Sequence, residues 1–329
     1  MVSNKVQDTI PSHRLSVAPM MDWTDRHFRW LMRHITRETL LYTEMVTTGA
    51  ILRSKDRDRY LAFSPLEGPI ALQLGGDDPK ALADCALIGE EYGYNEINLN
   101  VGCPSDRVKS GSFGACLMKE PALVADMVNA MKASTRLPVT VKHRIGVNGK
   151  ESLEDLIQFV ETISQAGVDG IIIHARIAIL EGLSPAENRK IPPLRYSDVY
   201  EVKRLFPNLP VVINGGITNF EDAKQHLAHV DGVMLGRAAY ENPYLFANAD
   251  SIFFGKEDQK LSRADVLRHL KEYCKGMESQ GVKLHHVMRH ALGLYHGQHG
   301  ARAFRRFFSE KMHAVSANVS LIDMFLGKG

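Results

Sequence analysis

The stretch LPVVINGGITNFEDAKQHLAHVDGVMLGR, residues 209–237, decides the fold. Val211 to Ile213 is an apolar, β-branched run of strand length, and Gly232 to Leu235 is a second. Phe220 to Ala228, between them, carries a helical pattern. Two short runs that are apolar on both faces and joined by a helix read as parallel strands covered by helices. Each run ends in a glycine-rich turn, Asn214-Gly215-Gly216 in one case and Gly236-Arg237 in the other.

The same pattern recurs upstream. Leu15 to Ala18, Thr39 to Thr43, Ile70 to Leu74, Glu96 to Leu99, Val139 to Val141 and Gly170 to Ile173 bring the strand candidates to eight, with helical patterns at Pro79 to Tyr92, Pro121 to Ala133 and Ser152 to Ala166. Eight such units close into a (β/α)8 barrel more naturally than they form an open sheet. Past Asn242 the strand signals stop, and Ser262 to Ser316 reads as helices broken near Gly281 and at Gly300. The expected organisation is an α/β TIM barrel over residues 1–250, then a smaller all-helical domain over residues 251–329, joined by an irregular linker from Asn248 to Leu261.

At 329 residues and 44% hydrophobic the chain is long enough for one barrel of roughly 250 residues plus an appendage. A formal charge of +2 means that any nucleic-acid partner must be met by a local basic patch. Cys85, Cys103, Cys116 and Cys274 have neither CxxC nor Cys/His spacing, so neither a disulfide framework nor a metal site is expected. The first residues, MVSNKVQDTIPSHR, have no signal-peptide core, and no apolar run reaches membrane-spanning length. A cytoplasmic protein without a membrane partner is expected.

In a barrel of this kind the active site lies at the C-terminal strand ends. The residues there are Pro19, Met20, Met21, Glu44, Gln73, Asn98, Asn100, Lys142, His174, Arg176, Asn214, Gly215, Gly216, Gly236 and Arg237. One polar strand end more often just meets solvent, but so many on one face mark a site. The glycines after the seventh and eighth strands fall where barrels bind phosphate through loop amides, and Arg237 adds a fork. No GxGxxG follows the first strand and no P-loop occurs, which leaves a Rossmann site unsupported. A flavin mononucleotide suits the rim. Pro19 to Met21 can flank the ring edge, Gln73 can read its donors and acceptors, Lys142 can favour the reduced form, and His174 can do likewise or hold the ribityl phosphate side. Asn98-Leu99-Asn100-Val101-Gly102-Cys103-Pro104-Ser105 carries the candidate catalytic group, since a free thiol has a pKa near 8.5 and Cys103 can act as a general acid. Cys85 and Cys274 read as small core residues, whereas Cys116 is open between packing and loop duty.

With AlaProMet after the first strand, AsnValGlyCysPro after the fourth, HisAlaArg after the sixth, AsnGlyGly after the seventh and GlyArg after the eighth, the chain resembles the tRNA-dihydrouridine synthases. Residues 16–27, 41–50 and 98–108 resemble the bacterial A subfamily in particular. The resemblance implies an FMN enzyme, driven by NADPH, that reduces the C5=C6 bond of D-loop uridines 20 and 20a in tRNA. It makes Cys103 the proton donor. Pro19, Met20, Met21, Gln73, Lys142, His174, Asn214, Gly215, Gly216, Gly236 and Arg237 become FMN contacts, and Asn100 touches the extruded uridine. Arg189, Arg302 and Arg305 become tRNA contacts, while Ala186 stands where a lysine is expected. Phe304, Phe307 and Phe308, interleaved with these arginines, are assigned to packing. No stable protein partner is implied, so a monomer is expected. Two alternatives stay open: an FMN barrel acting on a small dihydropyrimidine or enone, and a tRNA-binding chaperone.

Overall fold

The computed structural model describes residues 13–104, 113–314 and 316–327. Its strands are β1 (Leu15–Val17), β2 (Leu40–Tyr42), β3 (Val46–Thr47), β4 (Ile70–Gly75), β5 (Glu96–Val101), β6 (Val139–Arg144), β7 (Gly170–His174), β8 (Val211–Asn214) and β9 (Gly232–Leu235). Every pairing is parallel. β1 pairs with β9 and with β2, and β2 pairs with β4, so the ring closes.

The ring has eight staves because β2 and β3 share one. Leu41 pairs with Ile70 and Val46 with Leu74, so five steps on one side match four on the other. That is a one-residue bulge, which the apolar run at Thr39 to Thr43 did not reveal. Thr43 bridges the break: its N–H donates to Ala71 O at 3.0 Å, and its Oγ1 accepts from the Gln73 N–H at 3.0 Å. The bulge puts Glu44 at the mouth, where it accepts a hydrogen bond from the Asp22 N–H.

Strand periodicity divides the apolar residues into two cores. The larger lies between barrel and helices and contains Ile97, Leu99, Val101, Val139, Val141, Ile171 and Ile173. The smaller fills the lumen with Ala18, Leu40, Tyr42, Ala71, Ile172, Val212 and Met234. The covering helices include Pro79–Glu91, Pro121–Ser134, Leu153–Gln165, Tyr196–Leu205 and Phe220–His226. Ser152 and Asn219 cap two of them through side-chain oxygens, as the residue types demand.

Beyond the barrel come the helices Arg263–Glu278, Leu284–Met288, Ala301–Lys311 and Ser320–Leu326, with Gly281 and Gly300 in left-handed conformation at the expected breaks. The stretch read as an irregular linker instead begins with a helix, Ala249–Phe254. Its Asp250 is buried and accepts from Thr36 Oγ1 at 2.6 Å, Arg37 N at 2.7 Å and Glu38 N at 3.1 Å, which pins the segment to the barrel. The Asp25 carboxylate makes a second tie. Through Oδ1 it caps the helix Arg26–Arg33, and through Oδ2 it accepts from Arg289 Nη2 at 2.7 Å and meets His290 Nε2 at 2.9 Å. Among the described residues no helix is long and apolar enough to cross a membrane.

Candidate active site

The site is organised by the end of β5. Glu96, Asn98 and Asn100 alternate with the outward Ile97, Leu99 and Val101, so all three polar side chains enter the lumen. Asn100 Oδ1 accepts from the N–H groups of Gly102 at 3.1 Å and Cys103 at 3.0 Å, and thereby shapes the turn that presents the thiol. Cys103 is half-buried, and its carbonyl accepts from Ala115 N at 2.9 Å. Asn100 Nδ2 donates to Gln73 Oε1 at 2.9 Å, and Gln73 Nε2 donates to Asn98 Oδ1 at 2.8 Å. Gln73 and Asn100 are therefore joined to each other.

Lys142 and Arg144 project from β6 on the same face, two residues apart. Burial pushes the Lys142 ammonium down to about 8; the Arg144 charge acts in the same sense and Cys103 in the opposite one. Arg144 is buried, with Nε donating to Gly102 O at 3.0 Å and Nη1 to Ile177 O at 2.9 Å and Asn188 O at 3.0 Å. It clamps the Cys103 turn to the loop after β7. Arg144 is not among the strand-end residues expected from the sequence. Its signal was the i, i+2 spacing from Lys142.

His174 ends β7, with Nδ1 buried and without a hydrogen-bond partner. Burial, then the charges of Arg144, Lys142, Arg176 and Arg189, hold its imidazole well below its ordinary pKa, so it is neutral. Asn214 Nδ2 donates to Met234 O at 2.7 Å. Gly215 and Gly216 have φ of 112° and 74°, and a Cβ on Gly216 would meet Leu194 Cδ1 at 2.6 Å, so conformation and crowding both require glycine there. A Cβ on Gly236 would meet Ala18 Cβ at 3.8 Å and Met20 Sδ at 3.9 Å, ordinary van der Waals contact against the β1 turn, so the position is not crowded. In that turn the Met20 N–H donates to Thr24 Oγ1 at 3.0 Å, Pro19 is half-buried and Met21 is exposed.

The mouth is therefore cationic. Arg189 and Arg176 each feel the charge of Arg237, and Arg144 feels both Arg189 and Arg176. Ala186 and Arg189 lie exposed in the loop after β7, and Arg189 is close to Cys103. Arg302 and Arg305 are exposed on the helix Ala301–Lys311, whereas Phe304 and Phe308 are fully buried and pack with Tyr295 and Phe325. Phe304 and Phe308 are core, and Phe307 is half-buried against it, so all three pack as expected. Cys85 and Cys274 are buried, and burial raises both thiols to about 12. Cys116 is half-buried, with Sγ donating to Phe113 O at 3.1 Å. Ser105, the end of the motif carrying Cys103, lies outside the described residues.

Fold and site together define a (β/α)8-barrel enzyme whose mouth sets a thiol among positive charges beside a glycine-lined rim. The family model for dihydrouridine synthase matches residues 16–325, and the chain belongs to that family. It is 56% identical to a tRNA-dihydrouridine(20/20a) synthase of Synechocystis sp. over 95% of this chain and 93% of the relative. It is 53% identical to one from Pseudomonas aeruginosa over 96% and 95%, and 54% identical to one from Escherichia coli over 95% and 90%. Among solved structures, a 2-naphthoyl-CoA reductase complexed with 2-naphthoyl-CoA matches with a TM-score of 0.57 at 12% identity, over 73% of this chain and 51% of that one. This last likeness speaks for the barrel alone.

Proposed function

We propose that this protein reduces the C5=C6 bond of uridine to 5,6-dihydrouridine in the tRNA D-loop, at positions 20 and 20a, with FMN as cofactor and NADPH as electron donor. Its relatives are named tRNA-dihydrouridine(20/20a) synthases. The observation that carries the reading is the meeting of Cys103, Lys142, Arg144, His174 and Arg189 at one barrel mouth.

The residues present fit a flavin mononucleotide. A buried His174 nitrogen without a partner and two left-handed glycines after β8 are what an anionic, hydrogen-bonding ligand needs. Pro19, Met20, Met21, Gln73 and Lys142 would hold the ring, and His174, Asn214, Gly215, Gly216, Gly236 and Arg237 the phosphate side. When bound, the flavin supplies hydride for C6 of the uracil, and NADPH restores it. Cys103 gives its proton to C5, so hydride and proton together saturate the bond. Asn100 holds the turn that aims the thiol and keeps one amide hydrogen for the uracil.

A uracil within folded tRNA is stacked, so it must be extruded into the mouth at a cost of a few kcal/mol. Arg189 at the rim, and Arg302 and Arg305 on the C-terminal helix, offset that cost by pairing with phosphates. Ala186 adds no such contact. Residues 1–250 act as the catalytic unit and 251–329 as the RNA-holding one, in a cytoplasmic monomer. Two measurements test the reading together: the purified protein should bind FMN with a flavin absorption band, and tRNA from cells lacking the gene should lose dihydrouridine at positions 20 and 20a. Colourless protein that FMN cannot reconstitute, or unaltered dihydrouridine, would sink it.

A further inference from the structure

A chain of side-chain hydrogen bonds runs through the barrel from the mouth to the opposite face. Asn100 Nδ2 donates to Gln73 Oε1 at 2.9 Å, Gln73 Nε2 to Asn98 Oδ1 at 2.8 Å, and Asn98 Nδ2 to Thr140 Oγ1 at 2.8 Å. Thr140 Oγ1 in turn donates to Glu96 Oε1. Glu96 is fully buried at the start of β5. Its Oε1 also accepts from Tyr42 Oη at 2.9 Å, and its Oε2 is bonded by His13 Nε2. Of these residues Gln73 and Asn100 belong to the proposed site; Glu96, Tyr42 and His13 do not.

The direction of such a chain is chemically determined. A carboxylate only accepts, and a hydroxyl has a single hydrogen, so Thr140 must donate downward to Glu96 and accept from above. Asn98 must then turn its NH2 toward Thr140 and its carbonyl toward Gln73. Gln73 must present its NH2 to Asn98 and its carbonyl to Asn100. Asn100 is left with its carbonyl facing the mouth, where the N–H groups of Gly102 and Cys103 need an acceptor. Every amide in the chain has one orientation that satisfies both neighbours. Reversing any one would set donor against donor in a buried site, where an unmet polar group is costly.

We propose that Glu96 is a remote positioning residue: its buried carboxylate sets the donor–acceptor direction of Thr140, Asn98, Gln73 and Asn100, and so fixes the Cys103 turn and the face that Gln73 offers to the cofactor. The part concerning the cofactor rests on the reading under Proposed function; the part concerning the Cys103 turn does not. A carboxylate is a costly group to bury in a barrel that could be filled with aliphatic side chains. Across the lumen Ile172, Val212 and Met234 are just such filling. Packing alone does not account for Glu96, whereas setting a direction does.

The test compares Thr140→Val, which keeps the shape and cuts the chain, with Glu96→Gln, which preserves its direction. A glutamine can turn its carbonyl to Thr140 and Tyr42 and its NH2 to His13. Backbone amide exchange is followed by NMR in the flavin-free protein, alongside global stability from a denaturant melt. Thr140→Val should speed exchange at Gly102 and Cys103 by about tenfold more than at Leu99 on the same strand, and Glu96→Gln should leave that difference near the wild-type value. After reconstitution with FMN, Thr140→Val should also shift the flavin absorption maximum. Unchanged exchange at Gly102 and Cys103, acceleration no greater than at Leu99, or equal behaviour of the two variants overturns the proposal. Failure of the wild-type protein to bind FMN overturns the reading of the site instead and leaves the exchange result standing.

Discussion

On β4, β5 and β6 the lumen-facing side chains include Gln73, Asn98, Asn100, Thr140 and Lys142, and the first four are hydrogen-bonded in a chain that ends on Glu96. On β1, β2 and β7 to β9 the lumen is filled mainly by Ala18, Leu40, Tyr42, Ile172, Val212 and Met234. Both halves obey one strand periodicity and both are shielded by the same ring of helices. They differ in what a lost side chain would leave behind. On the polar side it leaves unmet donors and acceptors beside the reacting groups, and on the apolar side a hole. Below the mouth, the hydrogen-bonded chain and the apolar filling thus occupy opposite walls of one barrel, which makes their different roles open to experiment.

The largest expected effect is on the polar side. Cys103→Ala should lower dihydrouridine formation by about 10²–10⁴-fold, the range of a general acid, while FMN stays bound. Single-turnover assays on unmodified tRNA measure it, and product formed at the wild-type rate would remove the acid role. On the apolar side, Met234→Ala should cost about 2–5 kcal/mol of stability, because Met234 is fully buried, and should leave the flavin spectrum unchanged below the melting temperature. A shifted spectrum with little loss of stability would erase the contrast between the walls.

These contrasts were unequally legible in the sequence. Runs such as Gly170 to Ile173 and Val211 to Ile213, apolar on both faces, exposed the parallel barrel, and the residues after them marked the mouth. Strand ends are readable because they need only local periodicity. What stayed hidden depends on pairing across the chain. Glu96 looks like an ordinary strand start until His13, 83 residues away, is seen against it. Arg144 looks like a residue past the end of its strand, and its three carbonyl partners come from two other loops. The helix at Ala249–Phe254 escaped for the same reason, since its anchor is the turn at Thr36 to Glu38. Asp25 carried no signal in the sequence, although in the structure one oxygen caps a helix and the other holds Arg289 and His290, 264 and 265 residues on.

A smaller effect concerns the C-terminal helix, which repeats the division between walls on its own two faces, arginines outward and phenylalanines inward. Replacing Arg302 and Arg305 together by Ala should reduce the slope of log affinity for tRNA against log salt by about 2, one for each phosphate contact. Stability should hardly change, because both side chains are exposed. Titrations of tRNA at several salt concentrations decide it, and an unaltered slope would place the RNA elsewhere. Phe304→Ala should do the reverse, lowering stability first.

The smallest expected effect is the most direct probe of what the polar wall costs the fold. In the ligand-free protein burial lowers Lys142 to about 8, whereas an unfolded lysine titrates near 10.4. Below pH 8 both states carry the proton, and the folded state bears the full penalty of a charge held at the barrel mouth. Between about pH 8 and pH 10 the folded state releases its proton while the unfolded chain keeps it, so this group makes stability rise with pH, by no more than about 1.4 kcal/mol per unit. Other groups titrate in the same window, so the quantity to measure is the difference between wild type and Lys142→Met in denaturant melts from pH 7 to pH 10. The variant should be the more stable of the two at pH 7, and the gap should close toward pH 10. Bound FMN should narrow that gap at pH 7 as well, because its phosphate and electron-rich ring favour the charged lysine. A gap that stayed constant with pH would mean that Lys142 is solvated at the mouth and that the polar wall carries no such electrostatic cost.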